Sequence, residues 1–583
     1  MKRINLAIVC AAAALALGWA HVVLAQVQQV KTGPKDLATL IQSGQTKLAL
    51  EQIQAGADVN RAQPDGTSPL IWAVDRSEEA IAAALIAKKA DVNATNEFGV
   101  APLTLAARQS NGRLVKMLLD AGAKVDSANP DGETALMMAI SGGDLSIVQM
   151  LVNAGANVNT IEKFHDQTPL MYAAASNRNA AQMVKLLLSK GADVKPRALY
   201  SDWPSQVTSE PRTQYRSVGG LNALLYAARS GCYQCVEDLI AAGADVNLPT
   251  PEGVTPLMIA LDNEHNDVAK LLMDKGADLN VWDWWGRTAL WIAVDRKASP
   301  GGASGFSGFA AGGGGGGGRG GGRGGRGGAP PDAAAAPTRG PAVSSMDIIN
   351  AQLNAGVDPN PEMNFHRPNA PGRGRFGDNQ ISTGTTPLFR AVQNNDVEVI
   401  QALLAKGADP NINTMGYTAF LLAAGAGPGG RGANGGPPNM QILDLMTQHS
   451  ADVNAKVTGT QTYSFNVSRA ASNNEGTSAL HEAARASRTD LVKYLLDHGA
   501  NPNLVDADGK RPVEVAGVAR AARGGGGAPA AAAAGQGQAK GQAKGNPAGP
   551  AGAPGRGAPG RGGANAPAVA EIRAMLEAAA AKK

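Results

Sequence analysis

Length, charge and composition exclude several classes of protein before any motif is considered. The chain has 583 residues, of which 44% are hydrophobic, 17% charged and 4% aromatic. A formal charge of +4 is too small to indicate nucleic-acid binding. Three cysteines cannot build a disulfide scaffold or a multi-cysteine zinc site. The 73 glycines and 34 prolines are concentrated in a few stretches, which indicates ordered segments interrupted by low-complexity insertions.

The N-terminus has the pattern of a secretory signal peptide. Lys2 and Arg3 precede an apolar run over residues 4–17, and small residues allow cleavage after Ala25. An uncleaved membrane anchor is the alternative, although the run is short for a span. We expect an exported protein, periplasmic or secreted, with no membrane span in the mature chain. The pattern and the Gly/Ala/Pro bias are typical of a bacterial protein.

Two short motifs recur along the mature chain. A triplet like Thr-Pro-Leu is followed, about twenty residues later, by Gly-Ala-Asp-Val-Asn or a variant, as at residues 56–60 and 243–247. The pair of motifs at a period of about 33 resembles the ankyrin repeat. The central residues of the triplets are Pro69, Pro102, Ala135, Pro169, Ala223, Pro256, Ala289, Pro387, Ala419, Ala479 and Pro512.

The resemblance implies a fold and a mode of binding. The fold is an all-α repeat solenoid of stacked helix-turn-helix units with β-hairpin-like links. Partners are bound through the hairpin tips and the concave helix face. The family's histidine after the triplet is present only at His481. We expect its replacement elsewhere to remove a structural hydrogen bond and to leave the fold intact.

The physical chemistry of one repeat supports this interpretation. Thr255 can cap a helix whose first turn holds Pro256. Residues 267–273 have apolar side chains at helical spacing, and Gly276 is suited to end that helix. Because one helix pair cannot bury its apolar face alone, stability must come from neighbouring pairs.

The motifs predict twelve repeats and a set of boundaries. The first repeat spans about 34–60, and the second helix of the last is expected at Ala568–Ala580. The predicted segments are the signal peptide at 1–25, repeats 1 to 8 (first helix) at 26–298, a Gly/Arg-rich insertion at 299–341, repeats 8 (second helix) to 12 (first helix) at 342–522, a Gly/Ala/Pro-rich insertion at 523–566, and a capping helix at 567–583.

Insertions of two kinds interrupt the repeats. Those between the two helices of a repeat are rich in Gly, Ala and Pro and are predicted to be flexible; they are 299–341, 425–438 and 523–566. Those between repeats carry aromatic side chains, which either contact a partner or hold their own loops on the scaffold; they are 195–218, 361–382 and 455–473.

The charge of the insertions differs from that of the repeats. The insertions carry +14 and the first 25 residues +2, so an overall +4 leaves the repeats near −12. An acidic array argues against a grip on nucleic acid. The Arg-Gly stretch with Arg319, Arg323 and Arg326 resembles RNA-binding boxes. We interpret it as a flexible linker instead and expect no nucleic-acid partner.

The clearest candidate site is a cluster of tryptophans at one hairpin tip. Tryptophan and arginine are favoured at binding hot spots. A covering loop over the indoles is the alternative. The predicted partner-binding residues are Trp282, Trp284, Trp285, Arg287, Asp295 and Arg296, with Phe98, Phe164 and Tyr417 as weaker candidates at other tips.

Cys232 and Cys235 are the two cysteines of the mature chain. In an exported protein they are able to form a local disulfide. Unreactive thiols are the alternative, and a redox site would need a βαβ context that the sequence does not show.

Several common enzyme motifs are absent from the sequence. The sequence has no His-Glu-x-x-His, no Gly-x-Ser-x-Gly and no phosphate loop. We therefore expect no catalytic residues, no metal and no cofactor. The predicted function is a monomeric scaffold that binds an unidentified protein partner. The alternatives are a spacer or adhesive protein of the cell envelope and an accessory subunit of an envelope enzyme.

Overall fold

The computed structural model describes residues 36–199, 219–283, 286–298, 339–363, 384–414, 416–427, 438–458, 475–518 and 566–582. The predicted signal peptide and most of every insertion lie outside these ranges. The described residues form 24 α-helices with three isolated antiparallel bridges and no sheet. The predicted all-α class is confirmed.

The helices occur as twelve successive pairs. Packing divides the chain into two compact units, with α16 crossing from the first at Ile348 to the second at Ile349. The first unit holds α1 Leu37–Gln42, α2 Thr46–Gln54, α3 Pro69–Asp75, α4 Glu79–Ala87, α5 Pro102–Arg108, α6 Gly112–Asp120, α7 Ala135–Gly142, α8 Leu145–Asn153, α9 Pro169–Ala175, α10 Ala180–Ser189, α11 Ala223–Ser230, α12 Tyr233–Ala241, α13 Pro256–Asp262 and α14 Asn266–Asp274.

The second unit continues the same succession. It contains α15 Ala289–Ala298, the end of α16 Ser345–Asn354, α17 Pro387–Gln393, α18 Val397–Ala405, α19 Ala419–Ala423, α20 Met440–Gln448, α21 Ala479–Arg485, α22 Thr489–Asp497, α23 Pro512–Val515 and α24 Ala566–Ala581. The last helix is longer at both ends than predicted, and its Ile572 and Leu576 are buried against α22 and α23.

The recurring triplet begins the first helix of a repeat. The Thr255 hydroxyl accepts a hydrogen bond from the backbone N–H of Met258, and Pro256 occupies the first helical turn. Thr168 and Thr386 cap their helices in the same way. The capping side chain satisfies a backbone donor that has no partner inside the helix. The triplet is therefore a helix start, as the sequence predicts.

The second motif links each repeat to the next. The Asn60 carboxamide accepts from the backbone N–H of Asp91 at 2.8 Å and donates to the carbonyl of Lys89 at 3.4 Å. Asp58 holds this asparagine by accepting from its backbone N–H. Equivalent bonds between repeats are made by Asn93, Asn159, Asn247, Asn360, Asn411 and Asn454.

Most second helices place three core side chains at a recurring spacing of i, i+1 and i+4, such as Leu114, Val115 and Leu118. The third of them is a leucine in most repeats, for example Leu118, Leu272 and Leu403, all fully buried. In α16 this position holds Gln352, which is also fully buried. Neither its amide nitrogen nor its amide oxygen has a hydrogen-bond partner. The core of this repeat therefore contains an unsatisfied polar group.

In one repeat, the replacement of the family's histidine has a different outcome from the one predicted. His481 Nε2 lies 3.0 Å from the carbonyl oxygen of Lys510 in the next repeat. At the equivalent position of α15, the indole Nε1 of Trp291 donates to the carbonyl of Thr385 at 3.1 Å. Trp291 thus keeps the inter-repeat hydrogen bond that its substitution was expected to remove.

Candidate functional site

The hairpin between α4 and α5 directs a phenylalanine toward solvent. The Asn96 side-chain oxygen accepts from the backbone N–H groups of Phe98 and Val100 at 3.2 and 2.9 Å. Gly99 then takes a positive φ of 68°, and a β-carbon there would lie 2.5 Å from Pro130. The tight turn leaves Phe98 61% exposed.

The hairpin between α8 and α9 exposes a second phenylalanine. The buried carboxylate of Glu162 accepts from the backbone N–H groups of Phe164, His165 and Gln167 at 2.7–3.0 Å. This fixes the turn, and Phe164 is 66% exposed with its ring edge-on to His165. The backbone N–H of Leu199 donates to the carbonyl of His165, which places Leu199 beside this tip. The Leu199 side chain is also exposed.

At the tryptophan tip, the structure describes Trp282 and Asp283. Trp282 is 63% exposed, while its neighbour Asp283 is buried. Gly253 of the preceding hairpin packs on this backbone: a β-carbon there would lie 3.3 Å from the Asp283 Cα and from the Trp282 carbonyl oxygen. Trp284 and Trp285 lie outside the described residues.

Four predicted binding residues are buried, and their expected exposure is corrected. Asp295 accepts from the Arg390 guanidinium Nε at 2.7 Å, and both side chains are buried. Arg287 and Arg296 are also buried in the second unit. Tyr417 is held by backbone hydrogen bonds with Thr414 in an antiparallel bridge and is buried. As the structure places them, none of the four presents its side chain to a partner.

A row of polar and aromatic side chains at the base of the first-unit hairpins was not predicted. It occupies the third position after the triplet's central residue. There Trp72 Nε1 donates to the Gln63 side chain at 2.9 Å, and Tyr172 donates its hydroxyl to Glu133 at 3.2 Å. Burial, then the charge of Glu133, raises the pKa of Tyr172, so the hydroxyl stays protonated. The spacing from the triplet is the sequence signal that could have found this row.

The row continues at Tyr226, whose hydroxyl oxygen accepts from the Gln167 amide. Burial raises the pKa of Tyr226. The Arg229 guanidinium carbon lies 4.8 Å from the centre of the Tyr226 ring, a cation–π contact, and burial lowers the pKa of Arg229. These partly buried side chains have hydrogen-bonding groups but no arrangement of nucleophile and base.

Cys232 and Cys235 form a disulfide at the start of α12. Both cysteines are buried, and Cys232 Sγ accepts from the backbone N–H of Cys235 at 3.3 Å. Gly340 packs on the ring of Tyr233 between them, and its backbone N–H donates to Asp267. In this form the site offers no thiolate, so the disulfide fastens the helix start.

Metal-ligating clusters and membrane-spanning helices are both absent from the described part of the chain. It contains no group of three or more His, Cys, Asp or Glu side chains placed to hold a metal ion. None of its helices is both long and apolar enough to cross a bilayer.

Comparison with protein families agrees with this geometry. The family described as "Ankyrin repeats (3 copies)" matches residues 37–129, 111–198 and 220–300. The family described as "Ankyrin repeat" matches residues 383–414 and 475–507. Together the matches cover slightly more than half of the chain. The chain belongs to the ankyrin-repeat family.

Similar proteins share the repeats over limited lengths. The chain is 29% identical over 133 residues to alpha-latrocrustotoxin-Lt1a of Latrodectus tredecimguttatus, covering 23% of this chain and 8% of the toxin. It is 30% identical over 217 residues to a probable E3 ubiquitin-protein ligase, XBOS33, of Oryza sativa subsp. japonica, covering 36% and 37%. It is 24% identical over 342 residues to the ankyrin repeat and KH domain-containing protein mask-1 of Caenorhabditis elegans, covering 56% and 11%.

In each case the chain spans well under half of the relative's length. These relatives are eukaryotic, so the bacterial origin expected from composition stays a prediction.

Proposed function

We propose that this protein is a scaffold that holds a protein partner at the exposed hairpin tips of its first unit. One observation carries the proposal: Phe98, Phe164 and Trp282 are 61–66% exposed at three tips. By contrast, the helix aromatics Trp291 and Phe420 are fully buried. Large aromatic side chains on rigid turns supply binding energy when a partner covers them, at little entropic cost.

The proposed surface extends beyond these three side chains. Trp284 and Trp285 follow Trp282 and Asp283 in the chain, and we include them in the proposed surface on the ground of the sequence. The half-buried Trp72 and Tyr172 lie at the base of the hairpins and form a polar rim together with Gln63 and Glu133, to which they donate. An apolar centre with a polar rim is the common arrangement of protein–protein interfaces.

The test begins with capture and ends with purified components. A partner cross-linked to the wild type would be identified, purified and titrated on a biosensor. Replacing Phe98, Phe164 and Trp282 together by alanine should weaken partner binding at least about 30-fold. This is the effect expected when at least one hot-spot residue is lost. The matched control places alanine at Leu48 and Val518, which are also exposed and apolar but lie away from the tips.

Circular dichroism must show that both variants remain helical. If the tip variant bound the purified partner as tightly as the control variant, the proposed surface would be wrong. A parallel variant with alanine at Trp284 and Trp285 measures their separate contribution.

The proposal includes export to the periplasm or the medium, with cleavage after Ala25. The charged and apolar N-terminal pattern supports it. So does the Cys232–Cys235 disulfide, because disulfides persist in oxidising compartments. Mass spectrometry of the N-terminus after cell fractionation provides the test. An intact Met1 on protein recovered from the cytoplasm would refute export and leave the binding proposal standing.

A further inference from the structure

The hairpin between α12 and α13 contains a carboxylate with no partner. Glu252 is 2% exposed, and neither of its oxygens accepts a hydrogen bond. Among the described residues, Glu252 is the one carboxylate whose two oxygens are both buried without a hydrogen-bond partner. Leaving a buried charge unpaired is costly, whereas pairing it with a cation restores the lost stabilisation.

Glu252 is not needed to form its turn. At the equivalent tip of the hairpin before α3, Asp65 accepts from the backbone N–H and the hydroxyl of Thr67 at 2.9 and 3.0 Å. In the hairpin of Glu252 this task falls to Thr250, whose hydroxyl accepts from the Val254 N–H at 3.2 Å. The turn therefore does not use a hydrogen bond to the Glu252 carboxylate.

The surroundings of Glu252 place it in a ridge of exposed apolar tips. On one side, Gly253 packs on the backbone of Trp282, whose indole is exposed. On the other side, the Arg197 guanidinium donates to the carbonyl of Pro249, and Leu199, two residues after Arg197 in the chain, is exposed. The hairpin of Glu252 thus lies between two segments that each carry an exposed apolar side chain, Leu199 and Trp282.

We infer that Glu252 receives a lysine or arginine side chain from an extended segment of the partner. The inference rests on the proposed function, because it places that segment along the same tips. The net charge of the repeats is near −12, which favours a basic ligand. A lysine or arginine reaches a carboxylate below the surface by packing its aliphatic part along apolar side chains. The exposed indole of Trp282 adds a cation–π contact.

The spacing of the ridge specifies the segment further. Neighbouring helices pack at about 8–10 Å, and an extended chain rises about 3.3 Å per residue, so one repeat corresponds to about three residues. The basic residue should therefore be flanked by apolar residues three positions before and three positions after it.

The probe is a biotinylated heptapeptide, Leu-Ser-Gly-Lys-Gly-Ser-Leu, displayed on streptavidin to strengthen weak binding by avidity. It is compared with peptides in which the lysine is arginine, norleucine or glutamate. The wild-type protein should bind the lysine and arginine peptides about 10- to 100-fold more tightly than the norleucine peptide, as expected for hydrogen bonds to a charged group. The glutamate peptide should not bind.

Glu252→Gln should remove the preference for lysine over norleucine without lowering the thermal unfolding midpoint. The control is Asp65→Asn, which alters a tip carboxylate that already has partners and should keep the preference. Equal binding of the lysine and norleucine peptides to the wild type, no binding of either, or equal loss of preference in both variants would overturn the inference. If the norleucine peptide bound as tightly as the lysine peptide, and alanine at Phe164 and Trp282 abolished that binding, the inference would be overturned and the proposed function supported.

Discussion

The indole of Trp291 and the carbonyl of Thr385 join two repeats whose helices are far apart in sequence. Trp291 Nε1 donates to the Thr385 oxygen at 3.1 Å, and both residues belong to the second unit. His481 contacts the Lys510 carbonyl from the same position of its own repeat at 3.0 Å. Two different side chains thus present a ring N–H to the same backbone atom of the following repeat.

Trp291→Phe should lower the free energy of unfolding by about 1–3 kcal/mol. The substitution removes the ring N–H that donates to the Thr385 carbonyl, and it also shortens a fully buried side chain. The matched control is Trp72→Phe, because Trp72 is half-buried and water can replace its bond to Gln63. Urea unfolding followed by circular dichroism measures both; an equal loss in the two variants would contradict the assigned role.

Gln352→Leu should stabilise the protein by about 1–3 kcal/mol. The substitution removes two unsatisfied polar atoms from a fully buried position and restores the apolar residue found there in other repeats. Gln393→Leu is the control, because that buried glutamine accepts from the Arg390 guanidinium at 3.1 Å and its loss should destabilise. Hydrogen exchange at the α16 amides would localise the gain; unchanged exchange there would count against this explanation.

The local repeat chemistry follows from the sequence, and the long-range pairing does not. The Thr255 cap and the Gly276 helix end follow from the conformational preferences of these residues within a few positions. The burial of Asp295 depends on Arg390, which is 95 residues away across two insertions. No local pattern specifies such a pair. The hairpin-tip position predicts exposure for Phe98, Phe164 and Tyr417 alike, but Tyr417 is buried.

Asn411→Ala should cost about 1–2 kcal/mol of stability. The substitution removes two hydrogen bonds between repeats, from the Asp452 N–H at 2.7 Å and to the Ser450 carbonyl at 3.1 Å. Asn503 occupies the same motif position in a later repeat, and its side chain makes no hydrogen bond within the described residues, so Asn503→Ala should be close to neutral. Thermal unfolding compares the two; similar midpoints would show that the asparagine ladder contributes little.

Stability should fall as the pH is lowered from 7.5 to 5.5. Burial lowers the pKa of His481 below its ordinary value of 6.5, despite the opposing effect of the Lys510 carbonyl, and burial likewise lowers the pKa of His265. The unfolded chain therefore binds these protons at a higher pH than the folded chain does. The stabilisation is complete above about pH 6.5 and is lost as the pH falls toward the lower folded values.

His481→Gln should flatten this dependence, because glutamine can still donate to the Lys510 carbonyl but does not titrate in this range. Urea unfolding at half-unit pH steps provides the measurement, with His498→Gln as the control at an exposed histidine of the same repeat. A slope unchanged by His481→Gln would mean that other groups cause the acid sensitivity. A flatter slope in that variant alone would show that neutral His481 couples the last repeats to the pH of their surroundings.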